Sequence, residues 1–294
     1  MKPPPFMYCD PETVGEVVAL KSEYGADSLI LAGGQSLLPL LAMRLVRPAV
    51  LIDINRIREL RRIGCRDDAL EVGAGVRQYE LEHEPLADAL IPLLPEATAR
   101  IGHVEVRHRG TVGGSLAYAD PAAELPCIAV TLDATMVVRG PPGTRAVTAR
   151  DFFRGLMRTD LGPEEVLIAV RWPVTPRGAG HGFAEVARRA GDLALAGAAA
   201  VVRLDESGRV TSVAVGVLGI SETPVRADAV ERALADEIPT PERVALAAQQ
   251  IAPQVPAGDD PETDRAYRRH LASVVVRRAV GAAVARARER SDPR

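Results

Sequence analysis

The sequence predicts an α+β protein built in two unequal parts. A strand, a glycine-rich turn, a helix and a second strand run from Ser28 to Ile54, which is a βαβ unit. Three stretches of strand-like apolar residues follow a Pro/Gly-rich segment at Pro173–Gly182, with the turn Asp205-Glu-Ser-Gly208 between the last two. From Arg226 onward the pattern is helical, broken near Pro239 and between Pro253 and Pro261. At 294 residues the chain is long enough for two domains, or one large domain with an appendage.

Taken in order, Asp10-Pro-Glu-Thr13 reads as a helix start, with Asp10 as cap and Pro11 in the first turn. Val14, Val17, Val18, Lys21 and Tyr24 then recur at helical spacing, and Gly25 ends the element. Ser28–Ala32 is the first strand, a helix runs to about Leu45, and Val50–Ile54 is the second strand. After Asn55 the pattern changes: Ala69–Gly73 alternates like a half-buried strand, and helical stretches surround Tyr79 and span Pro85–Ile101. Pro121–Leu132 reads as a helix capped by Asp120. Thr135–Arg139, the turn Gly140–Gly143 and Arg145–Thr148 form a hairpin, and Val166–Trp172 is a further strand closed by Pro173. Beyond Pro173–Gly182 the strands are Gly182–Val186, Ala198–Leu204 and Val210–Leu218.

Composition excludes several classes of function. The net charge of −3, from 36 Lys+Arg and 39 Asp+Glu, gives no basis for a nucleic-acid partner or an anionic membrane. Cys9, Cys65 and Cys127 form no C-x-x-C pair, so neither a disulfide framework nor an iron–sulfur cluster on this chain alone is expected. Met1–Phe6 lacks the apolar core of a signal peptide. The longest apolar stretch, Leu193–Val202, is too short to span a bilayer. The expected setting is reduced and cytoplasmic.

The chemistry lies in two glycine-rich segments, Leu31-Ala-Gly-Gly-Gln-Ser36 and Thr111-Val-Gly-Gly-Ser115. A glycine pair lets a bulky anion approach the backbone N–H groups, and Gln35, Ser36, Thr111 and Ser115 add side-chain donors. Neither segment has G-x-G-x-x-G or G-x-x-x-x-G-K-[ST] spacing, so Rossmann and P-loop readings fail. Plain turn geometry is the competing explanation for Gly33-Gly34, as simple helix capping is for Ser36. A Cβ at Gly33 or Gly114 is expected to fill the space phosphates need. Glu124 is placed to accept hydrogen bonds from a ribose or a flavin edge, or to sit as a solvated first-turn carboxylate. His103, Glu105 and His108 fit no metal-ligand spacing. Arg188-Arg-Ala-Gly-Asp192 reads as an exposed turn between strands, or as a loop capping a cofactor.

Ala32-Gly-Gly-Gln-Ser-Leu-Leu-Pro39 with Arg44, Leu45 and Pro48, Thr111-Val-Gly-Gly-Ser-Leu-Ala117, Ala119-Asp-Pro-Ala-Ala-Glu-Leu-Pro126 and Arg188-Arg-Ala-Gly-Asp-Leu-Ala194 together resemble the flavin-binding subunits of molybdenum hydroxylases. Medium subunits of carbon monoxide dehydrogenases and the FAD parts of xanthine dehydrogenases belong to that family. The resemblance implies a two-subdomain FAD module of the vanillyl-alcohol-oxidase type over residues 1–177, divided at about residue 56 into 1–56 and 57–177. It implies a C-terminal domain of three antiparallel strands and helices over residues 178–294. It places FAD against Leu31, Ala32, Gly33, Gly34, Gln35, Ser36, Thr111, Gly114 and Ser115, with Asp120 and Glu124 near the flavin and Ile101 and Ile168 as apolar walls. Where some relatives have an aromatic residue over the flavin ring, this chain has Leu193; its alternative role is an ordinary core leucine.

The resemblance further implies an electron-transfer subunit with no catalytic or metal-binding residues of its own. Its partners would be a large molybdopterin subunit and a small iron–sulfur subunit, assembled as a dimer of heterotrimers. A stand-alone FAD-dependent oxidase or dehydrogenase acting on a small organic molecule is the alternative, and a scaffold with a degenerate site is a third reading.

Overall fold

The computed structural model describes residues 2–256 and 264–291. The βαβ unit forms with Ser28–Leu31 and Val50–Asp53 as parallel neighbours joined through the helix Leu37–Ala42. A third parallel strand, Met7–Cys9, pairs with the other edge of Val50–Asp53. It is only three residues long, too short for its sequence pattern to distinguish it from a loop. The helix Val14–Tyr24 packs on this sheet through Val14 and Val17, and Gly25 ends it with φ +49°. Its cap is Thr13 rather than Asp10: Thr13 Oγ1 accepts from Glu16 N at 3.2 Å, while Asp10 pairs with Arg56. A residue one turn too early cannot reach the free N–H groups of the first turn.

The second unit is a five-stranded antiparallel sheet in the order 63–66, 69–73, 166–173, 135–140, 143–148. The helical stretch expected over Pro85–Ile101 is two helices, Pro85–Leu90 and Leu93–Thr98, separated at Ile91–Pro92. The helix expected from Pro121 starts at Glu124 and runs to Thr131. Asp120 instead closes a tight turn before it, accepting from Ala122 N at 2.9 Å.

Beyond Pro173 the next strand begins at Gly180. The strands Gly180–Ala187, Ala194–Leu204 and Val210–Leu218 pair antiparallel, and a two-residue fourth strand, Val225–Arg226, is added to the expected three. The tail forms the helices Asp228–Leu234, Pro241–Ala248 and Arg265–Ser291. The expected break at Pro253–Pro261 lies partly outside the described residues. The long helix lies so close on the sheet that a Cβ on Gly180 would come within 2.0 Å of Ala283 O, and one on Gly182 within 2.3 Å of Ala279 O. The Ala- and Gly-rich strands are therefore a packing surface for this helix, in a core of Ala198, Ala200, Ala272, Ala279 and Ala283.

The halves share a continuous core that includes Phe183, Ala199, Val201 and Leu218, and polar contacts add to it. Glu96 Oε2 lies 3.1 Å from His181 Nε2 and 2.5 Å from Arg286 Nη1. Gly219 N donates to Pro121 O at 2.8 Å, which ties the end of a C-terminal strand to the turn preceding Glu124.

Candidate flavin site

The two glycine-rich segments lie face to face. A Cβ on Gly33 would stand 2.3 Å from Arg109 O and 2.7 Å from Gly110 Cα. Glycine is needed at 33 because the backbone before Thr111 presses on it, which corrects the expectation that a phosphate would occupy that space. Gly34 has φ +74°, which turns the chain sharply towards the helix Leu37–Ala42. Thr111-Val-Gly-Gly-Ser115 is not a loop but the first turn of the helix Val112–Tyr118. Thr111 Oγ1 caps it by accepting from Gly114 N at 3.0 Å. Gly114 faces the first segment, where its Cβ would lie 3.8 Å from that of Ala32.

Gln35 and Ser36 are exposed at this gap. Gln35 Nε2 donates to Gly33 O at 3.2 Å, which steadies the turn. Ser36 occupies the cap position but makes no side-chain capping bond, so its hydroxyl stays open to a ligand. Ser115 is half-buried one turn into the facing helix, and Leu31 ends the strand, its carbonyl accepting from Ile54 N at 3.0 Å. Ile168 reaches the same place: its carbonyl accepts from Ala74 N at 2.9 Å, and Ala74 O accepts from Gly113 N at 2.9 Å.

Two residues that the motifs do not contain hold the segments together. Asn55 Nδ2 donates to Ala32 O at 2.9 Å, and Arg77 Nη2 donates to Asn55 Oδ1 at 2.6 Å. Arg77 Nη1 also donates to Arg109 O. Burial, with Arg61 and Arg109 nearby, lowers the Arg77 pKa, and Glu80 and Asp53 oppose this. A lone Asn after a strand and an isolated Arg before a helix give no local signal, since their partners lie over twenty residues away.

The other residues named from the sequence lie in segments that border the C-terminal domain, where His103 meets Gly191 and Gly219 bonds Pro121. Ile101 is buried, and its carbonyl accepts from Arg107 Nη1 at 3.0 Å. Two residues on, the His103 ring lies so close to Gly191 (φ +85°) that a Cβ there would be 2.4 Å from it. The turn Arg188–Asp192 is thereby laid on the N-terminal half. Leu193 is 68% exposed, so it is not a core leucine. Ala119, at φ +53°, breaks the helix Val112–Tyr118 and leads directly into Asp120.

Glu124 is not a solvated carboxylate. It is buried, and its pKa is pushed up to about 8, first by burial and then by the charges of Glu185 and Asp120. Burial likewise raises Glu185, which Arg100 partly offsets.

Residues 4–175 match the FAD binding domain in molybdopterin dehydrogenase, and residues 181–283 match the CO dehydrogenase flavoprotein C-terminal domain. The chain belongs to this family of FAD-binding subunits of molybdenum hydroxylases. It is 37% identical to caffeine dehydrogenase subunit beta of a Pseudomonas species, covering 97% of each chain. It is also 37% identical to the carbon monoxide dehydrogenase medium chain of Hydrogenophaga pseudoflava, covering 97% of this chain and 99% of the other. The solved carbon monoxide dehydrogenase of that organism, which lacks the Mo-pyranopterin moiety of its cofactor, superposes with a TM-score of 0.94 at 38% identity, covering 97% and 99%. Quinoline 2-oxidoreductase from Pseudomonas putida gives 0.92 at 36%, with 97% and 99% covered.

Proposed function

We propose that this chain holds FAD between Leu31–Ser36 and Thr111–Ser115 and is the electron-transferring subunit of a heteromeric molybdenum hydroxylase. The observation that carries the site is the pair of segments latched together, with Gln35 and the open Ser36 hydroxyl exposed between them. The Ser36 hydroxyl and the remaining Gln35 amide N–H are donors suited to a pyrophosphate. Thr111 acts through Gly114 by fixing the first helical turn, while Asp120, Glu124, Ile101 and Leu193 form the opposite end, towards the flavin ring. Ile168 is an apolar wall beside the glycines.

When bound, FAD supplies two-electron redox chemistry that can also proceed by single electrons. Electrons would arrive from iron–sulfur clusters on a small partner, after hydroxylation at molybdopterin on a large one, and leave to an external acceptor. We place the assembly, as a dimer of heterotrimers, in the cytoplasm; the three free cysteines are in keeping with a reducing setting. Among the described residues no helix is long and apolar enough to cross a membrane.

The deciding experiment is the visible spectrum of the tagged chain isolated gently from its native host. Flavin bands over broad iron–sulfur absorption, with two co-purifying polypeptides, support the proposal. Flavin bands from a lone chain replace it with a stand-alone flavoenzyme, and a colourless protein that ignores added FAD rejects the site.

A further inference from the structure

The helix Leu37–Ala42 and the turn after it read Leu37-Leu-Pro-Leu-Leu-Ala-Met-Arg-Leu45, yet within the helix only Leu41 is buried. A helix that is apolar on every side belongs in an interior, because none of its faces gains from contact with water. Here Leu38 is 46%, Met43 50% and Leu45 67% exposed, and Pro39 is exposed beside them. The helix end keeps Leu45 in this group. Leu45 N donates to Leu40 O at 2.9 Å and Arg44 N to Leu41 O at 3.0 Å, with Arg44 at φ +60°. This is a Schellman closure, which folds Leu45 back onto the last turn and places an arginine where glycine is the unstrained choice.

Charge around the patch has one sign. From Ser28 to Ile52 the chain contains no Asp or Glu, and its charged residues are Arg44 and Arg47. Both are exposed, and neither pairs with a carboxylate among the described residues. Arg44 Nε donates to Lys2 O at 3.3 Å, which brings the N-terminal segment alongside. An apolar centre with cations at its rim is matched by an apolar surface edged with carboxylates. A second copy of the chain would set these arginines against their own kind, so the charge disfavours self-association. The patch also adjoins the glycine turn. Ser36 immediately precedes the helix, and a Cβ on Gly34 would lie 2.9 Å from the Leu38 side chain.

We propose that Leu38, Pro39, Met43 and Leu45, rimmed by Arg44 and Arg47, form the seat of the iron–sulfur subunit, which presents an apolar surface edged with carboxylates. The identity of this occupant rests on the functional reading above, since a donor of electrons has to sit close to the flavin. The exposed apolar helix stands without that reading. Four apolar residues within eight positions make a patch, whereas Leu246 is the single exposed large apolar residue of the helix Pro241–Ala248 and makes none.

The test compares complexes isolated gently from the native host through a tag on this chain. The variants are Met43→Ser with Leu45→Ser, both away from the glycine turn, then Arg47→Glu, and Leu246→Ser as the control. Iron retained per chain, read from iron–sulfur absorption and iron analysis, reports the seated subunit directly. The double variant should keep less than about one-tenth of the wild-type iron, and Arg47→Glu should lose at least about threefold at low salt. Leu246→Ser should match the wild type. All the isolated chains should melt together, because every altered side chain is exposed.

Wild-type iron in both patch variants overturns the seat. Should the double variant melt lower, Arg47→Glu decides, since reversing an exposed unpaired charge leaves the packing intact. Self-association of the isolated wild-type chain that the double variant abolishes assigns the patch to a second copy and overturns the proposal. Binding of the isolated chain to phosphatidylserine vesicles, lost in the same variant, assigns it to a membrane with the same consequence. A wild-type preparation without iron rejects the functional reading instead.

Discussion

Arg77 Nη2 donates to Asn55 Oδ1 at 2.6 Å, and through Asn55 reaches the Ala32 carbonyl at the start of the first glycine segment. The other arm of the same guanidinium bonds Arg109 O, beside the second segment. One planar fork thus spans the two walls of the site, and its geometry is what a lysine cannot reproduce.

Removing this fork should loosen the walls without unfolding the chain. Arg77→Ala is expected to weaken FAD binding about 10- to 100-fold, the equivalent of one or two charge-assisted hydrogen bonds. Arg77→Lys should recover only part of that. Fluorescence titration with FAD checks both, and wild-type affinity in Arg77→Ala would show that the latch is dispensable.

Gly33 and Gly281 make a controlled contrast. A methyl at 33 collides with Arg109 O, whereas one at 281, in the last helix, meets nothing within 4 Å. Gly33→Ala should therefore lower the melting temperature and release flavin. Gly281→Ala should stabilise by about 0.5–1 kcal/mol through helix propensity. Calorimetry on the two variants reads both signs; equal effects would contradict the close approach at Gly33.

The Glu96 clasp predicts an acid-sensitive contact between the halves. Burial tends to raise the Glu96 pKa, but hydrogen bonds from His181 and Arg286 outweigh it, so the net shift is downward. A carboxylate whose folded pKa is depressed contributes stability above its ordinary value near pH 4.5. That contribution is lost as the pH falls through the folded value. Glu96→Gln should accordingly destabilise the chain by roughly 1–3 kcal/mol at pH 7, the cost of a broken, part-buried charged hydrogen bond, and by progressively less as the pH falls below about 4.5. Thermal melts of both proteins across pH 3–7 would expose a constant difference, which is the outcome that refutes the clasp.

Leu193 should tolerate substitution with almost no effect on folding. Its exposure predicts a change within about 0.5 kcal/mol for Leu193→Ser. If it shields the flavin ring, iodide should quench the bound flavin more strongly in the variant. A melting temperature several degrees lower would show that the side chain packs in a way this arrangement excludes.

Much of the architecture was legible locally. The βαβ unit, the hairpin over Thr135–Thr148 and the long antiparallel strands all follow from periodicity and turn residues. Errors fell where two local candidates compete, as with Asp10 and Thr13 for one helix end, or where an Asx turn mimics a cap, as at Asp120. The strand Met7–Cys9 was invisible because three residues set no period.

What the sequence by itself determined is the set of glycines, hydroxyls and strand–turn–helix patterns, since these act within a few residues of one another. What only the tertiary structure decided is which groups meet. Arg109 explains Gly33, Arg77 finds Asn55, and His103 seats Gly191. Each of these pairs is separated by tens of residues, so packing of whole elements, rather than any local preference, sets the distances on which their energies depend.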